Sequence, residues 1–335
     1  MTDPLPPTAI IIPTLNEEPY IERCLLSLLR DSPDCVRQVM VVDGGSTDLT
    51  VAIARAVAQT DSRILVLHNP KRLQSAAINL AARAAAPEIS VLLRADAHSD
   101  YPRGFIMACI DALRTHDAAS VVVPLVTVGT TGPQRAIAAA QNSRLGNGGS
   151  PHRIGDGGRY VDHGHHAAFD RVTFLRIGGY DEAFSHNEDA EFDHRLARAG
   201  GRIWMADAAA TYFPRRTFRS LARQYLNNGA GRARTIRRHH MRPKLRQMMP
   251  LILLTTTVGG LVLTLDSWWF GLLPLGYVLG CIGWGLIEAA RRRDGWLIAM
   301  GPAAITMHMA WAIGFIKGWR GYAAVPPPLG GTVGA

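Results

Sequence analysis

Val39-Met40-Val41-Val42-Asp43-Gly44-Gly45-Ser46-Thr47-Asp48 decides how the first half of the chain is read. Four apolar residues, three of them β-branched, close on an acid, a glycine pair and a run of capping side chains. That order spells a buried strand, a tight turn and the start of a helix over 48–59. The same cadence recurs outward from it. Apolar runs at 9–14, 64–69, 91–96 and 121–125 alternate with helical stretches at 18–30, 73–86 and 102–114. The runs are continuous rather than alternating, as parallel strands covered on both faces are. The fold class is therefore α/β, with a doubly wound, mostly parallel sheet.

Ligands of such sheets bind beyond the carboxyl ends of the strands. Polar residues gather there. Pro13, Thr14, Asn16 and Glu17 follow the first strand, Asp43 ends the second, and Arg94, Asp96 and His98 follow the fourth. Ser46 and Asp48 read as helix-capping residues, whereas Asp43 and Asp96 end apolar strands and read as functional. No G-x-G-x-x-G follows the first or second strand, which weakens a dinucleotide-dehydrogenase reading.

Composition narrows the class further. The 335 residues are 47% hydrophobic and 19% charged, which excludes a disordered chain. Cys24, Cys35, Cys109 and Cys281 form no C-x-x-C pair, so a zinc ribbon and a disulfide scaffold are both excluded. The net charge of +9 calls for an anionic partner. Its position says which: Arg215 to Arg246 is rich in arginine, and no acid occurs between Asp207 and Asp266. The block runs into apolar stretches at 249–265, 268–287 and 296–316, each near the roughly 20 residues that a membrane span needs. A basic block beside such stretches marks the cytoplasmic side and attracts anionic lipid. A nucleic-acid binder would interleave aromatics with the charges, and here Tyr212, Phe213, Phe218 and Tyr225 cluster at one end. The N-terminal 18 residues lack the basic and long apolar regions of a signal peptide. The expected organisation is a domain over 1–245, with a first half at about 8–125 and a second at about 126–245. A membrane region of two or three α-helices follows over 246–335.

Five segments in this order resemble the family 2 glycosyltransferases of GT-A fold: IIIPTLNEE (10–18), VVDGGSTD (41–48), LRADAH (93–98), GGYDEAF (178–184) and NEDAEFDHRLARAGG (187–201). The resemblance covers about 8–245 and implies a membrane-attached, inverting hexosyltransferase of exopolysaccharide or cell-surface glycan synthesis. It implies a UDP-sugar donor, such as UDP-glucose, held by Pro13, Thr14, Asn16, Glu17, Asp43, Arg94 and Asp96. It implies a divalent cation, Mg²⁺ or Mn²⁺, on Asp96 and His98, where His98 departs from the second acid of the D-x-D pattern and favours Mn²⁺. Asp189 takes the place of the catalytic base and Glu188 that of its acceptor-positioning partner. His165, His166 and Arg195 are expected to line the acceptor site, with 134–159 as a glycine-rich acceptor loop. The acceptor is expected to be a lipid-linked, polyprenyl-diphosphate sugar at the cytoplasmic face of a bacterial inner membrane, with no role for nucleic acid. QYLNNGAGR (224–232) lacks the Q-x-x-R-W of processive relatives, which argues for transfer of one sugar. A non-catalytic membrane scaffold is the alternative, and the carboxylates kept at the strand ends argue against it.

Overall fold

The computed structural model describes residues 4–30, 32–149 and 157–321. Its strands are β1 (Thr8–Thr14), β2 (Val36–Asp43), β3 (Ile64–His68), β4 (Val91–Arg94), β5 (Ser99–Asp100), β6 (Ser120–Val123), β7 (Leu125–Thr127), β8 (Arg159–Val161), β9 (His165–Asp170), β10 (Ile203–Met205) and β11 (Ala210–Tyr212). Its helices are α1 (Ile21–Leu29), α2 (Thr50–Ala58), α3 (Gln74–Ala84), α4 (Phe105–Thr115), α5 (Gly132–Gln141), α6 (Arg144–Asn147), α7 (Arg171–Arg176), α8 (Glu188–Arg198), α9 (Phe218–Arg238), α10 (Leu245–Leu263), α11 (Leu272–Arg292) and α12 (Met300–Arg320).

The main sheet runs β3-β2-β1-β4-β9-β6-β10-β8. Strands β1 to β4 pair parallel, as their continuous apolar runs predict. Alternate residues of β1 feed opposite cores. Ile10 and Ile12 pack with Leu25 of α1, Ala54 of α2 and Ile110 of α4, while Ala9 and Ile11 pack with Ile78 of α3, Phe174 of α7 and Phe192 of α8. The sheet is thus wound on both faces. Two strands depart from the parallel pattern: β8 pairs antiparallel with β10 at the edge, and β9 inserts antiparallel between β4 and β6. Its sequence, His-His-Ala-Ala-Phe-Asp, has too few β-branched residues to announce a strand.

Most of the described residues of the 134–159 segment lie in helices rather than in a loop. Residues 134–141 lie in α5, which Thr131 and Gln134 cap reciprocally, and 144–147 form α6. Residues 150–156 of that segment lie outside the described residues.

Three C-terminal helical segments, Leu245–Leu263, Trp268–Arg292 and Gly295–Arg320, are long and apolar enough to cross a membrane. The third packs against the rest of the chain along one side. Leu297, Met300, Ala304 and Met307 share one core with Ile137 and Ala140 of α5 and Leu221 of α9. His308, a polar residue in this apolar helix, bonds Tyr277 Oη of α11 through Nδ1 and the Leu145 carbonyl of α6 through Nε2, each at 2.8 Å. In lipid such a side chain needs these partners.

Helices α9 and α12 touch backbone to backbone. A Cβ added at Gly314 would lie 1.9 Å from the Leu226 carbonyl oxygen, one at Gly229 would lie 2.0 Å from that of Trp311, and one at Gly318 would lie 2.4 Å from that of Ala230. Backbone cannot swing aside as a side chain can, so Gly314→Ala is expected to push the helices apart. The expected cost is about 1–3 kcal/mol. A thermal unfolding midpoint in detergent equal to that of the parent chain would refute this.

Candidate active site

A cavity of ≈ 200 Å³ opens beyond the carboxyl ends of β1, β2 and β4, lined in part by Pro13, Thr14, Glu17, Gly44, Asp96 and His98. A second cavity, of ≈ 230 Å³ and lined by Asp117, Asp170, Arg176 and Arg202, lies at the start of β6 and the end of β9. None of the expected site residues lines it.

The strand-end residues of the first cavity hold one another. Asp43 Oδ2 accepts from the Gly45 and Ser46 amides at 2.8 and 3.0 Å. Its Oδ1 accepts from Ser46 Oγ at 2.5 Å and lies 3.5 Å from Thr14 Oγ1. Asn16, in the left-handed region at φ 56°, accepts from the Thr47 amide at 2.9 Å and donates its own amide to Ser46 Oγ at 2.8 Å. The loops after β1 and β2 are therefore laced into one wall. Glu17 reaches across to His98, with Oε1 3.0 Å from Nδ1.

Arg94 stands at the centre, its side chain 5% exposed. Its Nε and Nη2 donate to Asp96 Oδ1 at 3.4 and 3.3 Å, and its Nη1 donates to Tyr180 Oη at 3.2 Å. Gln74 adds a third bond to Asp96 Oδ1 at 3.2 Å, and His165 Nε2 lies 3.3 Å from Oδ2. Burial opposes the Asp96 charge, yet Arg94, His165 and His98 outweigh it and hold the carboxyl well below the usual range. Burial also disfavours a charged His98, but the Glu17 bond and the Asp96 charge win and raise its pKa.

From Tyr180 the chain of bonds runs on. Tyr180 Oη meets His166 Nδ1 at 2.5 Å, His166 Nε2 meets Asp193 Oδ1 at 2.7 Å, and Asp193 Oδ2 meets His163 Nδ1 at 2.7 Å. Asp189, on the first turn of α8, lies within electrostatic reach of His163, His166 and Arg94. Burial resists its charge, and those three groups overcome it and lower its pKa. Burial, with Asp189 beside it, pushes the Glu188 carboxyl up to about 7. The only hydrogen bond recorded for the Asp189 side chain among the described residues comes from the amide of Ala190, at 2.8 Å. Asp189 is half-buried and ionised, with lone pairs open to a hydroxyl.

Two expected acceptor residues are placed elsewhere. His166 is fully buried among Phe169, Tyr180 and Phe192, with both ring nitrogens spent. Successive residues of a strand face opposite ways, so β9 sends His165 toward Asp96 and His166 into the core. Arg195 is a staple: it donates to Glu191 four residues back and to the carbonyls of Ile177 and Gly179, at 2.6–2.7 Å. Neither is free to meet an acceptor. Beside the cavity, Lys71 pairs with Glu182 at 2.5 Å, while Arg72 lines it.

Tyr180, Gln74 and Asp193 were not legible as site residues. Tyr180 and Asp193 lie inside the GGYDEAF and NEDAEFDHRLARAGG segments, but their importance comes from partners far apart in sequence.

Comparison with known proteins agrees with this geometry. The sequence profile of glycosyl transferase family 2 matches residues 9–177. The succinoglycan biosynthesis protein ExoA of Rhizobium meliloti (strain 1021) is 43% identical over 313 residues, 93% of each chain. A dolichyl N-acetyl-alpha-D-glucosaminyl phosphate 3-beta-D-2,3-diacetamido-2,3-dideoxy-beta-D-glucuronosyltransferase of Methanococcus voltae is 23% identical over 317 residues, 92% of this chain and 96% of its own. Among solved structures, the mannosyltransferase PcManGT of Pyrobaculum calidifontis, in complex with GDP-Man and Mn²⁺, superposes with a TM-score of 0.58. It is 20% identical, with 96% of this chain and 89% of that one covered.

Proposed function

The chain belongs to glycosyl transferase family 2, with the GT-A fold, and from that premise we propose that it moves glucose from UDP-glucose onto a lipid-linked saccharide, with inversion, at the cytoplasmic face of a bacterial inner membrane. The observation that carries the reading is the placement of Asp189. A half-buried, ionised carboxylate with lone pairs to spare lies within electrostatic reach of Arg94, which also donates to Asp96 at the cavity.

In this reading the nucleotide sits against Pro13, Thr14, Asn16, Glu17 and Asp43, in the wall that Asp43 and Asn16 lace together. Asp189 accepts the proton of the acceptor hydroxyl, whose oxygen bonds to the anomeric carbon of the sugar. The bond from that carbon to the phosphate oxygen breaks, and UDP leaves with the electron pair. Attack from the face opposite UDP inverts the centre and needs no enzyme nucleophile. Glu188, mostly protonated below pH 7, is able to donate a hydrogen bond to the acceptor. His165, held at Asp96, is the remaining acceptor-side imidazole.

The residues present fit a divalent cation. Among the described residues no three His, Cys, Asp or Glu side chains form an ion site alone, so most ligands must come from the diphosphate and water. Asp96 and His98 would hold the ion. The Glu17 carboxylate already bonds His98 Nδ1, the support that an imidazole ligand needs to present Nε2. Bound there, the ion would neutralise the charge of the departing UDP.

A screen of UDP- and GDP-sugars against a lipid-extract acceptor tests the donor. UDP-glucose should be turned over fastest, and preference for another donor would overturn the glucose assignment. Treatment with EDTA should stop turnover, and Mn²⁺ should restore it. Full activity in EDTA would remove the cation from the reading.

A further inference from the structure

The three apolar segments are not alike in what surrounds them. Of the apolar window in each, 6% is buried inside the chain in Leu245–Leu263 and 17% in Trp268–Arg292, against 44% in Gly295–Arg320. Around the turn between α10 and α11 large apolar side chains stand exposed: Leu265, Trp268, Trp269, Leu272 and Leu273.

Helix α12 instead has partners from α5, α6 and α9 along its whole length. Just before it, Trp296 packs so close to Gly132 of α5 that no Cβ fits there, and Arg135 Nε of α5 lies 2.8 Å from Asp294 Oδ2. Midway, Met307 packs over Gly146 of α6, and His308 Nε2 bonds the Leu145 carbonyl at 2.8 Å. Further on, Gly314 and Gly318 meet the carbonyls of Leu226 and Ala230 of α9, and at the end Arg237 donates to the Trp319 carbonyl. The pairs Leu226–Gly314 and Ala230–Gly318 advance together, so α9 and α12 run side by side in the same direction.

A helix that crossed the roughly 30 Å hydrocarbon core would carry these neighbours into it. Helix α9 holds Arg219, Arg223, Arg232, Arg234, Arg237 and Arg238. Arginine at that depth is costly, and irregular backbone such as the turns around α6 is tolerated there only when protein covers it.

We infer that α12 does not cross the bilayer. It lies at the membrane surface against α5, α6 and α9, and the α10–α11 hairpin is the part that enters lipid. The outward side of α12 fits that place: Ile313 and Ile316 are exposed one turn apart, and exposed Lys317 and Arg320 follow them. An apolar stripe beside cations suits the headgroup level of an anionic leaflet. Charge agrees as well. With two crossings Arg291, Arg292, Arg293, Lys317 and Arg320 all fall on the side of the basic block, whereas a third would send Lys317 and Arg320 to the far side.

Introduced cysteines report the side. Cys24, Cys35, Cys109 and Cys281 are buried, so the parent chain gives the labelling baseline. Glu88→Cys, exposed on the turn after α3, marks the side of the sheet, and Arg320→Cys marks the end of α12. A membrane-impermeant maleimide is applied to spheroplasts and to inverted membrane vesicles that carry the full-length chain. Both cysteines should label in the same preparation, and neither should label in the other until detergent is added. Labelling of Arg320→Cys only in the preparation that spares Glu88→Cys would mean a third crossing and would overturn the inference. Protection of Arg320→Cys in both preparations would place the end of α12 inside the bilayer and overturn it too. Should Arg320→Cys fail to reach the membrane, Lys317→Cys takes its place with the same two outcomes. Only agreement in side is read, so labelling of Glu88→Cys in spheroplasts would count against the cytoplasmic reading above and leave this one to be decided by the second cysteine.

Discussion

Asp189→Asn is expected to lower sugar transfer by about two to four orders of magnitude while UDP-sugar still binds. Asparagine keeps the size and the acceptor oxygen for the Ala190 amide, so α8 should start as before. What it removes is the ability to take a proton. The groups around the position, His163, His166 and Arg94, favour an anion there, and they keep the carboxylate ionised throughout the neutral range. Asp189 is not among the residues that line the cavity, so the loss should fall on kcat rather than on the KM for donor. Steady-state rates with saturating donor, beside titration of UDP binding, make the distinction. Transfer at the parental rate would refute the base assignment, and loss of UDP binding would place Asp189 on the donor side.

The left half of the sheet was readable because each parallel strand there is a continuous apolar run followed by its own turn chemistry. Asp43 illustrates this, since the Gly44-Gly45-Ser46 turn that folds back onto its carboxylate is adjacent in sequence. The right half was less readable. Strand β9 is defined by what it pairs with, and β5, β7 and β11 are two or three residues long. The same contrast holds at the site. Asp96, Glu188 and Asp189 stand out because acids at strand and helix ends are conspicuous. His165 and His166 are alike in sequence and are told apart only by the register of β9 between β4 and β6. Arg195 has the spacing from Glu191 that makes an i, i+4 pair, so its structural role was within reach of periodicity alone. The arginine block was legible as charge, but which partners its residues take depends on positions as distant as Asp181 and Trp319.

Arg94→Met is expected to cost about 3–5 kcal/mol of stability at neutral pH and to abolish donor binding. Methionine fills similar space but withdraws a guanidinium within electrostatic reach of Asp96, Glu188 and Asp189. Asp96 would keep only Gln74 and the histidines, and Tyr180 Oη would keep only His166. The loss should depend on pH, with a sign set by Glu188. Its carboxyl is raised from 4.5 to about 7 in the folded chain, so its contribution is full below 4.5 and is lost as pH climbs to about 7. Arg94 lowers that pKa, so without Arg94 the folded value rises further and the loss extends above pH 7. The gap between parent and variant should therefore be wider at pH 8 than at pH 5, and it should not vanish at pH 5, because Asp189 and Asp96 remain ionised there in the parent. Thermal unfolding midpoints of both chains at the two pH values measure it. A gap that is constant with pH would mean that Arg94 acts by packing alone, and a gap wider at pH 5 would reverse the charge assignment of the whole α8 N-terminus.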